Sequence, residues 1–181
     1  MKLIKTEIPD VVILQPVVYQ DERGFLLESF NRKVAEAIGC AEPFVQDNHS
    51  QSKRSVLRGL HYQSQPKAQG KLVRVVTGEI FDVAVDLRQN SPTFQRWVSA
   101  CLSAENKSIM WIPPGFAHGF LVLSDTADCL YKTTACYSPE HECTVRWNDP
   151  ELAIAWPLKG QPVVSEKDAA GSSLRDAVLF D

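Results

Sequence analysis

Phe81-Asp82-Val83-Ala84-Val85-Asp86-Leu87 puts Phe81, Val83, Val85 and Leu87 on one face of an extended chain and Asp82, Ala84 and Asp86 on the other. That is the two-residue period of a β-strand. If the second face lines a barrel interior, Asp82 and Asp86 approach a cavity; a solvent-facing strand accounts for the pattern equally well. The neighbouring sequence continues in the same style. Leu72 to Val76, Ile80 to Leu87, Phe94 to Leu102, Ser108 to Ile112, Phe120 to Leu123, Leu130 to Thr134 and Cys143 to Trp147 are short runs separated by turn signals such as Thr77-Gly78, Ser91-Pro92 and Pro113-Pro114-Gly115. Many short strands at this spacing indicate an all-β sandwich or barrel.

Upstream, Val11-Val12-Ile13-Leu14 lies between Pro9-Asp10 and Pro16 and reads as a strand near a sheet edge. Asp21-Glu22-Arg23-Gly24 reads as a turn. Asn31 to Ile38 is the one clear helix: Asn31 can cap it, Val34, Ala37 and Ile38 share a face, and Gly39 ends it. It is expected to pack on the outside of a sheet. Downstream, residues 149–181 carry several prolines and little period. They are expected to wrap irregularly over the barrel, with a short amphipathic helix between Ala169 and Asp181. The organisation expected is one domain over residues 1–181, a length and a 44% hydrophobic content sufficient for one buried core.

A net charge of -3 argues against a nucleic-acid binder that relies on a broad basic surface, but leaves room for a small anionic ligand held by a local cluster. The N-terminus lacks the apolar run of a signal peptide and no stretch reaches membrane-spanning length, so a cytoplasmic protein is expected. The five cysteines form no CxxC pair, which suggests free, mostly buried thiols.

The chemistry gathers at Leu57-Arg58-Gly59-Leu60-His61-Tyr62-Gln63, followed by Lys71. A guanidinium, an imidazole and an ammonium together can bind an anion and move a proton beside it. Phe44-Val45-Gln46-Asp47-Asn48-His49-Ser50 carries polar side chains suited to facing a ligand. Pro113 to His118 fits the PxGxxH pattern with which cupin barrels often hold a metal. The HxH pair and glutamate that complete such a site are missing, because His61-Tyr62-Gln63 stands in their place and Phe81 to Leu87 contains no histidine. A metal-free barrel is the better reading, ahead of an iron dioxygenase.

Phe44 to Ser50, Leu57 to Gln63, Gly70-Lys71-Leu72-Val73, Asp82 to Arg88, Gly115 to Phe120, Leu130-Tyr131-Lys132 and Lys167-Asp168 together resemble the dTDP-4-dehydrorhamnose 3,5-epimerase family, in order from about Arg23 to Asp168. The resemblance implies a cupin-type jelly roll that needs no metal or other cofactor and inverts carbons 3 and 5 of a dTDP-linked 4-keto sugar. It also implies roles. His61 is the base, Asp168 its carboxylate partner, Lys71 the stabiliser of the enolate, and Tyr131 the acid on the opposite face. Arg23 and Arg58 meet the diphosphate; Glu28, Gln46, Asp47, Asn48, His118, Glu142 and Lys167 make further substrate contacts; and Tyr137 stacks on the thymine. The family is a homodimer in which Arg23 and Glu28 come from the neighbouring subunit.

Strict alternation opposes part of this, since it sends His61 and Arg58 to opposite faces of one strand. A bulge or kink at Gly59, or a site at a barrel mouth, is therefore predicted. Epimerisation at a single carbon, a ketone shift between carbons 3 and 4, and a catalytically silent nucleotide-sugar binding module are the alternatives on the same scaffold.

Overall fold

The computed structural model describes all residues, Met1–Asp181. In chain order the elements are β1 (Lys2–Lys5), β2 (Val12–Gln15), β3 (Val18–Asp21), β4 (Gly24–Leu27), α1 (Arg32–Ala37), β5 (Gln46–Lys53), β6 (Leu57–Gln63) and β7 (Lys71–Thr77). They continue with β8 (Glu79–Asp86), β9 (Trp97–Ser103), β10 (Ile109–Ile112), β11 (Phe116–Val122), β12 (Thr126–Thr133), β13 (Glu142–Thr144) and α2 (Glu166–Ala169). A six-stranded sheet in the order β1-β2-β10-β7-β12-β5 faces a five-stranded sheet in the order β13-β6-β11-β8-β9, and β3 pairs only with β4. The architecture is an all-β jelly roll of the cupin type with short peripheral helices.

Alternation along the strands sorts side chains into three apolar layers. Val73, Ile80, Ala84, Met110, Ile112, Phe116 and Phe120 belong to the largest cluster, which fills the space between the sheets. Leu60, Tyr62, Val83, Val85, Leu87 and Ala117 face outward from the five-stranded sheet and are covered by Leu152, Leu174 and Phe180 of the C-terminal segment. Leu14, Leu72, Ile109 and Trp111 face outward from the six-stranded sheet under Val34 and Ile38 of α1. Both sheets are thus apolar on their outer as well as inner faces, which requires the helix and the C-terminal segment as lids.

The predicted irregularity in β6 is present. His61 pairs with His118 and Arg58 with Phe120, so three steps along β6 match two along β11. This extra residue reverses the alternation, so Arg58 and His61 both face inward while Leu60 stays outside. Gly59, at φ +131°, makes this possible: a Cβ there would lie 2.5 Å from the Gly119 Cα. A side chain cannot occupy that space.

Several boundaries differ from the sequence reading. β1, of sequence Lys-Leu-Ile-Lys and exposed throughout, is the sheet edge outside β2 and carries no burial pattern to announce it. Phe94 and Gln95 lie in a turn, β9 starts only at Trp97, and β11 starts at Phe116 rather than Phe120. No helix runs from Ala169 to Asp181. Ser165 caps the four-residue α2 upstream, Ser173 caps a 3₁₀ turn at Leu174–Asp176, and Gly171 packs against the Arg146 backbone between them. Of the cysteines, Cys40 and Cys129 are buried while Cys101 and Cys136 are exposed, so burial of the thiols is less general than expected. No helix is long and apolar enough to cross a membrane.

Candidate active site

Between the sheets, beyond the apolar filling, lies a cavity of about 370 Å³ lined mainly by polar and charged residues. The six-stranded sheet contributes Gln46, Asn48 and Ser50 from β5, Tyr131 from β12 and Lys71 from β7. The five-stranded sheet contributes Arg58, His61 and Gln63 from β6, His118 and Phe120 from β11, and Glu142 from β13. Gln69 and Tyr137 lie on connecting loops. A molecule held here has His61 on one wall and Tyr131 on the other.

Each imidazole in the cavity is backed by a buried carboxylate. His61 Nε2 lies 2.6 Å from Asp168 Oδ1, and Asp168 is 3% exposed. The second oxygen of Asp168 accepts the Gly59 N–H at 3.1 Å. Burial pushes the Asp168 carboxyl up, but the bonds from His61, Gly59 and Ser165 outweigh it and hold it below the usual carboxylate range. With Nε2 committed to Asp168, Nδ1 is the ring nitrogen left without a protein partner. His118 Nε2 similarly lies 2.6 Å from Asp82 Oδ1, so Asp82 does reach the cavity wall, behind His118. Asp86 does not. It is buried at the end of β8, where burial is overcome by hydrogen bonds from Arg88, Ser91 and Thr93 that bring its carboxyl down to about 2.

Lys71 is 7% exposed, and its ammonium donates to the His61 carbonyl at 3.0 Å. Burial lowers its pKa to about 8, partly offset by the charges of Asp82 and Glu142. Tyr131 packs against the central apolar cluster, and burial raises its phenol above the ordinary tyrosine value. Arg58 is oriented by Ser52 Oγ, 2.9 Å from its Nε. Tyr137 OH donates to Glu142 Oε2 at 2.9 Å, and Glu142 also pairs with Lys167. Burial pushes the Glu142 carboxyl up, but Lys167 and Tyr137 keep it below its usual value. His61 and His118 are each paired with a carboxylate rather than with one another, and no group of three His, Cys, Asp or Glu lies close enough to hold a metal ion.

Of the predicted residues, His61, Lys71, Tyr131, Gln46, Asn48, Arg58, His118, Tyr137 and Glu142 line this cavity, with Asp168 directly behind His61. Four lie outside its wall. Asp47 falls on the opposite face of β5 from Gln46 and Asn48 and pairs with Lys132 at 2.8 Å, as the period of two demands. Lys167 is joined to the site through Glu142. Arg23 bonds Asp21 at the tip of the β3–β4 hairpin with its side chain 85% exposed, and Glu28 bonds Asn31 beside α1. Sequence reasoning missed Ser50, Gln63, Gln69 and Phe120 as wall residues. Ser50 was accessible, being two residues beyond Asn48 on the same strand face.

The model of the dTDP-4-dehydrorhamnose 3,5-epimerase family matches residues 5–176. A dTDP-4-dehydrorhamnose 3,5-epimerase of Pseudomonas aeruginosa is 59% identical over 181 residues, covering 99% of each chain. The crystal structure of RmlC from Legionella pneumophila in complex with dTDP-4-keto-L-rhamnose superposes with a TM-score of 0.93 at 55% identity, over 96% of this chain and 93% of that one. ChmJ, a 3'-monoepimerase of Streptomyces bikiniensis solved in complex with dTDP-quinovose, superposes with a TM-score of 0.88 at 34% identity, over 94% and 87% of the two chains.

The buried ammonium of Lys71 sets a stability prediction. The folded state binds its proton less tightly than the unfolded chain, whose lysine titrates near 10.4, so this group destabilises the fold at pH 7 and that cost fades as pH rises from about 8 to 10.4. Lys71→Met is expected to be more stable than the parent by about 1–3 kcal/mol at pH 7 in urea denaturation. The gap shrinks toward zero by about pH 10.5. A destabilised variant, or a gap independent of pH, contradicts this reading.

Proposed function

The chain belongs to the dTDP-4-dehydrorhamnose 3,5-epimerase family, and we propose on that basis that its cavity converts dTDP-4-dehydro-6-deoxy-D-glucose into dTDP-4-dehydro-L-rhamnose. The observation that carries the reading is the placement of an imidazole–carboxylate pair and a phenol on opposite walls of one cavity, with an ammonium beside the imidazole.

The reaction inverts two carbons that flank a ketone. The C4 carbonyl acidifies the hydrogens at C3 and C5, so each inversion can proceed through an enolate. His61 Nδ1 takes a proton from one face of the sugar, and Asp168 stabilises the imidazolium that results. Lys71 supplies positive charge to the enolate oxygen, and its lowered pKa still leaves the ammonium form predominant at neutral pH. Tyr131 returns a proton to the carbon from the opposite face, which inverts it. One turnover at a centre leaves an imidazolium and a phenolate; a proton passed between them, directly or through water, resets both. The raised pKa of Tyr131 suits this step, because its phenol keeps its proton until a basic enolate carbon is present. In this reading Arg58 takes the diphosphate and Tyr137 the nucleobase, both from the cavity lining. His118, Asn48 and Glu142 offer hydrogen bonds to the sugar and nucleotide.

A homodimer completes the proposal. Arg23 and Glu28 stand outside the cavity of their own chain, and the β3–β4 hairpin that carries Arg23 exposes Tyr19, Phe25 and Leu26 at 67%, 58% and 71%. A hairpin paired only with itself and apolar at its surface suits insertion beside a second copy, where Arg23 and Glu28 would reach that copy's substrate.

Turnover in deuterated water tests the chemistry. Deuterium is expected at both carbons with inversion at each, and His61→Ala is expected to lose at least about a hundredfold in rate. Label at one carbon alone makes the chain a single-centre epimerase like the 3'-monoepimerase, and no label with tight dTDP-sugar binding makes it a binding module. For shared sites, His61→Ala and Arg23→Ala proteins, each poorly active, are mixed after exchange of subunits. About a quarter of wild-type activity is expected to return, from the one intact site in each mixed dimer. A monomer by sedimentation, or no recovery, contradicts the dimer.

A further inference from the structure

The loop after β12 is held to the barrel by three glutamines, residue by residue. Gln69 Nε2 donates to the Ala135 carbonyl at 2.8 Å, and Gln63 Nε2 to the Cys136 carbonyl at 3.2 Å. Gln46 Oε1 accepts the Tyr137 N–H at 2.8 Å, and Gln63 Oε1 accepts the Ser138 N–H at 2.8 Å. Gln46 stands on β5 of the six-stranded sheet, Gln63 on β6 of the five-stranded sheet, and Gln69 on the connection between β6 and β7. Four consecutive residues are thereby fastened to both walls of the cavity.

Gln63 has no amide proton left for a ligand. Gln63 is 3% exposed, and its amide also donates to the Lys67 carbonyl at 2.7 Å, which uses both of its protons. Gln46 Nε2 donates to Asn48 Oδ1 at 2.9 Å while its oxygen holds Tyr137. Gln63 supplies two donors and an acceptor here; an ionised glutamate has no donor and methionine only a weakly accepting sulfur, so neither can replace it in this arrangement. What the loop leaves open is the Tyr137 ring, 53% exposed, with its hydroxyl on Glu142.

We infer that Gln63 and Gln69, with Gln46, are positioning residues that hold Tyr137 at the cavity rim as a preformed platform for the nucleobase, setting affinity for the nucleotide rather than the rate of proton transfer. The inference rests on the reading of Tyr137 given above. Gln46 takes on a second duty: it lines the cavity and also holds the loop. A platform already in place spares the ligand the entropy of ordering it, which is gained as binding.

Gln63→Met and the milder Gln69→Met test this, with dTDP binding by calorimetry, kcat and KM for the 4-keto sugar nucleotide, and hydrogen exchange of the peptide spanning residues 135–138. Expected are faster exchange of the Tyr137 and Ser138 amides, a dTDP Kd and a KM raised on the order of tenfold, and a kcat within about threefold of wild type. A fall in kcat with Kd and KM unchanged overturns the inference, as does unchanged exchange. If Gln63→Met does not fold, Gln69→Met decides by the same readouts. Tyr137→Ala separates the two layers. If it leaves dTDP affinity intact, the nucleobase role of Tyr137 fails; if it weakens dTDP while the glutamine variants do not, the clamp alone fails.

Discussion

Asp168 is one buried carboxylate that fixes two things at once. One oxygen holds the His61 ring and the other holds the Gly59 N–H, the residue at which β6 gains its extra step. The bulge is what brings Arg58 and His61 to the same cavity, so this single side chain ties the irregular backbone to the imidazole that uses it. It also anchors the C-terminal segment, because Asp168 lies in α2 with its own N–H on Ser165 Oγ. Leu174 and Phe180 beyond it cover the outer face of the five-stranded sheet. A long-range contact between a C-terminal helical turn and a central strand therefore serves core and site together.

The strand pattern and most of the site were legible in sequence for different reasons. Phe81 to Leu87 shows its period because one face packs under the C-terminal segment while Ala84 and Asp82 point inward. The bulge at Gly59 could be foreseen because two residues three apart were required on one face. Asp47 could not be placed from a contiguous motif. β5 is an edge strand polar on both faces, so the motif itself does not show which side is inside. Gln63 follows His61 by two residues and shares its strand face, as Ser50 does with Asn48. The wall position of Gln69 lies on a connection, and no local pattern records it. β1 was missed because an exposed edge strand carries no burial signal.

The cavity gathers groups that a purely structural core would avoid. Lys71 is an ammonium nearly removed from solvent, and Asp82 Oδ2 is buried without a hydrogen-bond partner. Asp82 belongs to the His118 pair and Lys71 stands beside the His61 pair, where its ammonium would meet negative charge developing on a bound ketone. The apolar layers on both outer faces of the sheets supply the rigidity that such a polar interior requires.

The central claim is that proton removal and proton return occur from opposite walls, by His61 and Tyr131. Tyr131→Phe, turned over in deuterated water and followed by NMR of the sugar, tests it directly. The account predicts that deuterium still enters beside the ketone, taken and returned on the His61 face, with the starting configuration retained. Inverted product at the wild-type rate, or the loss of exchange altogether, would contradict it.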